Sequence, residues 1–137
     1  AFFIKGFSSL SHNGGKEMIN TLYLLSLDGI KICFLGALNS AELSPEIMES
    51  IEDIDILFVP IGGEGVLDAS SAYKLAVKLE PKVIIPMHFG DVGNKNALKT
   101  FLKEGGEEST KAEEKLTLKK KDLEGKEGDI IVLTSLA

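Results

Sequence analysis

Three apolar runs, separated by two helix-like segments, most restrict what this chain can fold into. The runs cover residues 32–37, 56–63 and 82–88. Short, nearly continuous apolar runs are typical of strands covered on both faces. Strands that alternate with helices predict a parallel sheet with right-handed crossovers. We therefore expect the α/β class. The carboxyl ends of these strands, where open α/β sheets bind their ligands, should meet at one edge.

Capping signals mark where the helices begin and end. Ser44 predicts one helix start, because serine caps helices well and the next residue, proline, suits the first helical position. Asp68 predicts a second start in the same way, and Glu80-Pro81 ends that helix. The predicted helices cover residues 45–51, 69–79 and 95–103, the last one capped by Asn94 and ended by Gly105-Gly106.

Further strands are expected at both ends of the chain. Asp28-Gly29 predicts a type I′ hairpin turn, because that turn needs a positive φ at both central positions. Residues 7–19 are rich in Ser, Gly and Asn, which favours a loop. The remaining strands are predicted at residues 1–5, 20–27, 30–35, 116–119 and 129–134, with a solvated turn between the last two.

Size and charge exclude several classes of function. A chain of 137 residues with 44% apolar residues is expected to form one domain, residues 1–137. Its net charge of −6 argues against nucleic-acid binding. Cys33 is the one cysteine, so no intrachain disulfide can form, and its apolar strand predicts an inert buried thiol. No apolar run approaches the roughly 20 residues that span a membrane. We expect a cytoplasmic protein.

The chain contains two histidines, His12 and His88. His88 follows a buried strand and is expected at the ligand-binding edge, although a histidine at a strand end is more often structural. His12 lies in the segment predicted as a loop, where histidines are often simply exposed. Two histidines cannot complete a zinc site, because catalytic zinc uses three protein ligands and a water molecule.

Several segments together resemble the metallo-β-lactamase superfamily. The first half of the resemblance comprises Phe3-Ile4-Lys5-Gly6, Gly14-Gly15-Lys16-Glu17, Asn20-Thr21-Leu22-Tyr23 and the segment 27–36, LDGIKICFLG. It continues with the segment 54–63, IDILFVPIGG, then Asp68-Ala69, Leu79-Glu80-Pro81-Lys82 and the segment 83–89, VIIPMHF. The chain is most similar to the branch of small zinc-dependent hydrolases that resemble ascorbate-6-phosphate lactonase.

The resemblance implies an αββα sandwich, of which this chain forms the second half, a mixed sheet with helical crossovers. The family binds metal mainly through a His-x-His-x-Asp-His motif in the first half, and no such run occurs here. The later family ligands fall on His88, on either Ser11 or His12, and on Ala37, where the family has an aspartate that bridges two metals. The implied metal ligands are therefore His88 and, in one alignment, His12.

Two functions remain open. The chain is either a degenerate, non-catalytic member of the family or part of a metal-dependent hydrolase of an ester, lactone or phosphodiester bond. In the hydrolase, zinc is the expected cofactor, and an upstream segment or another chain supplies the missing ligands. Gly62, Gly63 and Glu64 could line a site for a small-molecule ligand, because glycine allows close backbone approach.

The start of the chain and its sheet also predict a partner. The sequence begins Ala1-Phe2-Phe3-Ile4, without Met and already like a strand, so we expect an upstream segment that was removed or belongs to another chain. Half of a sandwich leaves one apolar sheet face bare, and such patches usually mark an interface. The expected cover is the missing N-terminal half or a second copy of the chain.

Overall fold

The described residues form one mixed six-stranded sheet with the three α-helices on one face. This computed structural model describes residues 2–13, 16–36, 38, 43–63, 66–87, 96–106 and 120–133; of residues 2, 3, 7–13, 16–20 and 120 it describes the backbone alone. The strands are β1 (Phe2–Asn13), β2 (Lys16–Leu27), β3 (Ile30–Phe34), β4 (Ile56–Pro60), β5 (Val83–Met87) and β6 (Asp129–Ile130). The helices are α1 (Pro45–Ser50), α2 (Ala69–Leu79), α3 (Ala97–Glu104) and a 3₁₀ helix at Lys120–Leu123.

The strands lie in the sheet in the order β1-β2-β3-β4-β5-β6. The pairs β1–β2 and β2–β3 are antiparallel, whereas β3, β4, β5 and β6 are parallel to one another. Helix α1 connects β3 to β4, and α2 connects β4 to β5. This confirms the predicted α/β class and the mixed sheet with helical crossovers.

The main core fills the space between the sheet and the three α-helices. Leu57 and Val59 of β4 are fully buried in it, as is Cys33 of β3. The three helices contribute Ile47 from α1, a stripe from α2 and Phe101 from α3; the α2 stripe is Ala69, Ala72, Leu75, Ala76 and Leu79. These five residues recur at helical spacing, which is how the sequence specifies the buried face of α2.

The opposite sheet face, on which none of the described α-helices packs, is called here the helix-free face; it is covered only in part. Strand side chains alternate between the two faces, so Ile56, Val83 and Ile85 point away from the helices. The side chain of Leu123, in the 3₁₀ helix, packs on these three residues and is fully buried. Toward β1 and β2 the same face is open, with Ile4, Tyr23 and Leu27 each about half exposed.

The capping predictions are mostly confirmed. Ser44 and Asp68 are the N-caps of α1 and α2, and their side chains accept hydrogen bonds from the Ile47 and Ser71 backbone N–H groups. Both central residues of the Asp28-Gly29 turn have positive φ, 50° and 78°. The third helix begins later than predicted, with Asn96 at its N-cap, whereas Asn94 lies outside the described residues.

The predicted loop at residues 7–19 is wrong. Residues 7–13 belong to β1 and residues 16–19 belong to β2, and Asn13 pairs with Lys16. Ser and Asn favour loops locally, but strand stability depends mainly on the facing strand. The last predicted strand shortens to β6, and residues 116–119 lie outside the described part of the chain. None of the described helices is long and apolar enough to cross a membrane.

Candidate functional site

The carboxyl ends of β3, β4 and β5 lie side by side, as the sequence predicts. The backbone N–H of Leu35, just after β3, donates to the Phe58 carbonyl of β4 at 3.1 Å. The N–H of Ile61, just after β4, donates to the Met87 carbonyl of β5 at 3.0 Å. The loops that follow the three strands therefore start from one edge, called here the carboxyl edge. It is the position at which open α/β sheets bind ligands.

Backbone hydrogen bonds shape the loop after β4. Gly62 forms an isolated antiparallel bridge with Asp68, and the Gly63 N–H donates to the Leu67 carbonyl at 3.0 Å. The Leu67 N–H donates in turn to the carbonyl of Leu38, in the loop after β3, at 2.8 Å. Gly63 has φ of +84°, which favours glycine at this reversal.

The two glycines differ in their access to solvent. Gly62 is buried, whereas Gly63 is exposed. Both lie at the carboxyl edge, so their backbones can approach a ligand there. A substrate-binding role for Gly62, Gly63 and Glu64 stays a prediction, and Glu64 lies outside the described residues.

Neither histidine has a described side chain. His88 directly follows Met87, the last residue of β5, and lies outside the described residues. His12 lies in β1, where its backbone pairs with Glu17 of β2. Three strands separate β1 from β5 in the sheet, which is a lateral distance on the order of 20 Å.

The first hairpin also extends beyond the carboxyl edge. Phe34, the last residue of β3, pairs with Tyr23, which pairs with Gly6. Residues 7–13 and 16–22 continue past that level, on the order of 20 Å at the usual rise per residue. The strand register therefore does not by itself bring His12 next to the end of β5. A metal shared by His12 and His88 stays a prediction.

The described residues contain no complete zinc site. Across the described residues, no three His, Cys, Asp or Glu side chains are grouped so that they could hold a metal ion. Position 37, where the resemblance implies a bridging aspartate, is alanine, whose methyl group offers no lone pair. The two histidines alone fall short of the three ligands that catalytic zinc requires.

Cys33 is neither a ligand nor a nucleophile in this fold. Burial raises the pKa of its thiol to about 12, against a smaller opposing effect of the Lys31 ammonium. The thiolate is the form that binds metals and attacks carbonyl groups, so the buried thiol is inert near neutral pH, as the sequence predicts.

Sequence reasoning missed Asp55, which lies at the opposite edge of the sheet. Its carboxylate accepts a hydrogen bond from the Lys31 N–H at 2.8 Å and lies 3.2 Å from the Lys82 ammonium. Its backbone N–H donates to the Lys31 carbonyl, and its carbonyl accepts from the Val83 N–H, each at 2.9 Å. Asp55 thus links β3, β4 and β5 and has a structural role. In the sequence, the one sign of this role is the position of Asp55 at the start of an apolar run.

The chain is similar in sequence to known proteins of one family. The profile of the Beta-lactamase superfamily domain matches residues 1–88. A UPF0173 metal-dependent hydrolase of Carboxydothermus hydrogenoformans is 41% identical over 67 residues, covering 49% of this chain and 29% of the relative. One from Thermococcus onnurineus is 31% identical over 81 residues, covering 58% of this chain and 36% of the relative. The matched region spans about a third of the length of these curated relatives.

The fold itself is shared with solved structures. A Thermotoga maritima protein described as a Zn-dependent hydrolase of the metallo-β-lactamase superfamily superposes with a TM-score of 0.67 at 29% identity. The match covers 95% of this chain and 64% of that one. A Parabacteroides distasonis protein, at 23% identity, shares the fold with a TM-score of 0.56 over 96% of this chain and 51% of that one. The profile match covers more than half of the sequence and agrees with the mixed sheet described above, so this chain belongs to the metallo-β-lactamase superfamily.

Proposed function

We propose that this chain is a degenerate metallo-β-lactamase-fold protein that does not catalyse hydrolysis by itself but binds a small molecule at its carboxyl edge. The observation that carries the proposal is the donor set. Alanine occupies position 37, where the resemblance implies a metal-bridging aspartate, and no His-x-His-x-Asp-His run occurs within these 137 residues. The family's metal ligands retained in these residues are fewer than the three protein ligands that catalytic zinc uses, whereas the hydrogen-bonded Gly62-Gly63 loop is suited to shape a pocket.

The proposal includes a partner for the helix-free face. Residues 1–137 then form a single domain that is the C-terminal portion of the sandwich. Ile4, Tyr23 and Leu27 make the open part of this face apolar. Contiguous apolar surface of this kind usually marks an interface. We expect it to be covered by an N-terminal half or by a second copy of this chain.

A second candidate is a metal-dependent hydrolase whose remaining ligands come from an upstream segment or another chain. Two observations favour it. The curated relatives are named metal-dependent hydrolases, and a histidine follows Pro86-Met87, the position of the last metal ligand implied by the resemblance. Under this candidate, His88 is a ligand and His12 or Ser11 marks a second ligand position. The bond cleaved is that of an ester, a lactone or a phosphodiester.

Metal analysis tests the non-catalytic proposal, because zinc retained by this chain alone would contradict it. The purified chain is loaded with zinc, dialysed and analysed by mass spectrometry, alongside the variants His88→Ala, His12→Ala and Ser11→Ala. Hydrolysis of p-nitrophenyl acetate and bis(p-nitrophenyl) phosphate is measured on the same samples. We expect little retained zinc and no hydrolysis above that of free zinc in buffer.

The opposite result would support the hydrolase. One retained zinc per chain, lost in His88→Ala and accompanied by hydrolysis, would contradict the non-catalytic proposal. In that case the comparison of His12→Ala with Ser11→Ala shows which position supplies the second ligand. Ala37→Asp is the gain-of-function control, because its carboxylate should increase zinc retention if position 37 lies beside the metal.

A further inference from the structure

A cavity of about 500 Å³ lies beside the Gly62-Gly63 loop, between the first turns of α2 and α3. Its volume falls within the range of small-molecule sites. Ile61, Ala69 and Ala97 supply its apolar part. Because the glycine loop also lies at the carboxyl edge, a ligand bound at that edge can extend into the cavity.

The polar groups of the cavity are a carboxylate and two hydroxyls. Asp68, Ser70 and Thr100 are its polar side chains, and among the described lining residues Asp68 is the one that carries charge. The Ser70 hydroxyl is 3.5 Å from a carboxylate oxygen of Glu104. Carboxylates accept hydrogen bonds, and hydroxyls both accept and donate them. This combination matches a ligand that carries several hydroxyl groups.

The same groups are poorly suited to phosphate. Phosphate binds at a helix start through free backbone N–H groups. At the start of α2, the Ser71 N–H already donates to one oxygen of Asp68 at 2.7 Å. No side chain caps the start of α3, so the charge of Asp68 is what disfavours phosphate on that side of the cavity. A phosphate would also meet the Asp68 carboxylate as a like charge. A cation gains little in turn, because one carboxylate supplies far fewer oxygen ligands than a bound metal cation takes. An uncharged hydroxylated group is not repelled by Asp68 and does not need the several ligands that a cation takes.

We propose that this cavity binds the neutral, hydroxylated part of the ligand, a polyol or a sugar ring, and discriminates against the phosphorylated form. The inference rests on the proposed function in one respect: it takes the carboxyl edge as the place where the small molecule binds. It does not depend on whether the chain holds zinc or is catalytic.

Saturation-transfer difference NMR with a matched pair of sugars tests this proposal. Glucose and glucose 6-phosphate are titrated separately into the metal-stripped chain, and inorganic phosphate is added as a competitor. We expect saturable binding of glucose and at least about tenfold weaker binding of glucose 6-phosphate, the factor that corresponds to one unfavourable polar contact. Inorganic phosphate should not displace glucose.

Three variants locate the binding to this cavity. Thr100→Val keeps the shape but removes a hydroxyl, and should weaken glucose binding about fivefold to tenfold. Asp68→Asn keeps a helix cap but removes the charge, and should bring the affinity for glucose 6-phosphate close to that for glucose. Ser50→Ala removes a hydroxyl from α1, outside the cavity, and should change neither affinity. Urea unfolding midpoints verify that each variant folds.

Several results would overturn the proposal. They are no saturable glucose binding, equal binding of the two sugars by the unmodified chain, or glucose binding unchanged in a folded Thr100→Val variant. The proposed function fails on different measurements, namely zinc retention and hydrolysis, so the two failures can be told apart.

Discussion

At the scale of single residues, Asp55 shows how one buried carboxylate can join three strands. Its side chain is 11% exposed, and its partners are a backbone N–H and an ammonium group. The Lys82 side chain is 43% exposed, so solvent weakens that ion pair. The larger contribution is therefore the hydrogen bond to the Lys31 N–H, which would otherwise lack this acceptor.

The first prediction follows from the greater contribution of the hydrogen bond between Asp55 and the Lys31 N–H. Asp55→Ala removes the acceptor of a part-buried N–H, and should lower the free energy of unfolding by about 1–3 kcal/mol. The matched control is Asp129→Ala, which breaks the more exposed Lys126–Asp129 pair and should cost less than about 1 kcal/mol. Urea unfolding measures both values. Equal losses in the two variants would mean that burial of Asp55 adds nothing.

Cys33 gives a prediction that depends on pH. Its pKa in the folded chain is about 12, against 9.0 for a free thiol, so folding favours the protonated form. This contribution to stability is complete below pH 9 and is lost as the pH rises through the window from 9 to 12. The Cys33→Ala variant should therefore lose less stability than the unmodified chain over this range.

Thiol labelling measures the same property directly. With Ellman's reagent at pH 8, the folded chain should react far more slowly than the chain in urea, and the single cysteine makes the signal unambiguous. Rapid labelling of the folded chain would contradict the burial of β3.

At the scale of elements, the sequence predicted those whose signals are local. Helix α2 begins after Asp68 and ends before Glu80, as predicted, because its cap and its apolar stripe lie within the segment itself. The β1–β2 hairpin was missed between residues 7 and 19, because each of its residues is stabilised by a partner on the other strand. Leu123 was missed for the same reason, since its contacts come from β4 and β5.

The candidate site also has one part that the sequence predicts and one part that it does not. The shared carboxyl edge could be predicted, because the order of strands and helices determines a parallel arrangement. The cavity between the starts of α2 and α3 could not, because Asp68 and Thr100 approach each other only after the helices pack. Nothing in the spacing of these residues along the chain indicates that they line one space.

A substitution of Gly105, at the C-terminal end of α3, tests how closely this helix packs on the sheet. A Cβ at this position would lie 2.6 Å from Ile130 Cδ1 and 3.1 Å from a Tyr73 ring carbon. Gly105 has φ of −86°, which alanine also adopts, so any penalty is steric. The Cδ1 methyl is the end of the Ile130 side chain and can shift, so Gly105→Ala should lower the free energy of unfolding by about 1 kcal/mol, the low end of the cost of overpacking.

A double-mutant cycle distinguishes this clash from a backbone effect. Ile130→Val removes the Cδ1 methyl, so adding it to Gly105→Ala should cost about 1 kcal/mol less than the sum of the two single changes. Gly106→Ala is the control, because its added Cβ meets nothing within 4 Å but its φ is +69°. It should be destabilising through the backbone and should show no coupling to Ile130→Val. Additive costs for Gly105 and Ile130 would refute the clash.

At the scale of the whole molecule, the described residues leave the helix-free face packed over part of the sheet and open over the rest. The 3₁₀ helix covers it over β4 and β5 by placing Leu123 on Ile56, Val83 and Ile85. No described segment does the same over β1 and β2. The stacked rings of Phe34 and Phe58, with centroids 4.3 Å apart, lie between the covered and open parts and are half-buried. The uncovered area is therefore continuous with a packed apolar surface, as expected of an interface.

The final prediction concerns this open area. The chain alone should self-associate as its concentration rises and should increase the fluorescence of the apolar dye ANS. Replacing Tyr23 and Leu27 with threonine, which suits strands, should reduce both effects while changing the free energy of unfolding by no more than about 0.5 kcal/mol per site. Val77→Thr is the matched control, since Val77 is 52% exposed but lies on α2, and it should leave both effects unchanged. Sedimentation velocity measures the association, and a chain that stays monomeric and does not bind ANS would show that this face needs no partner.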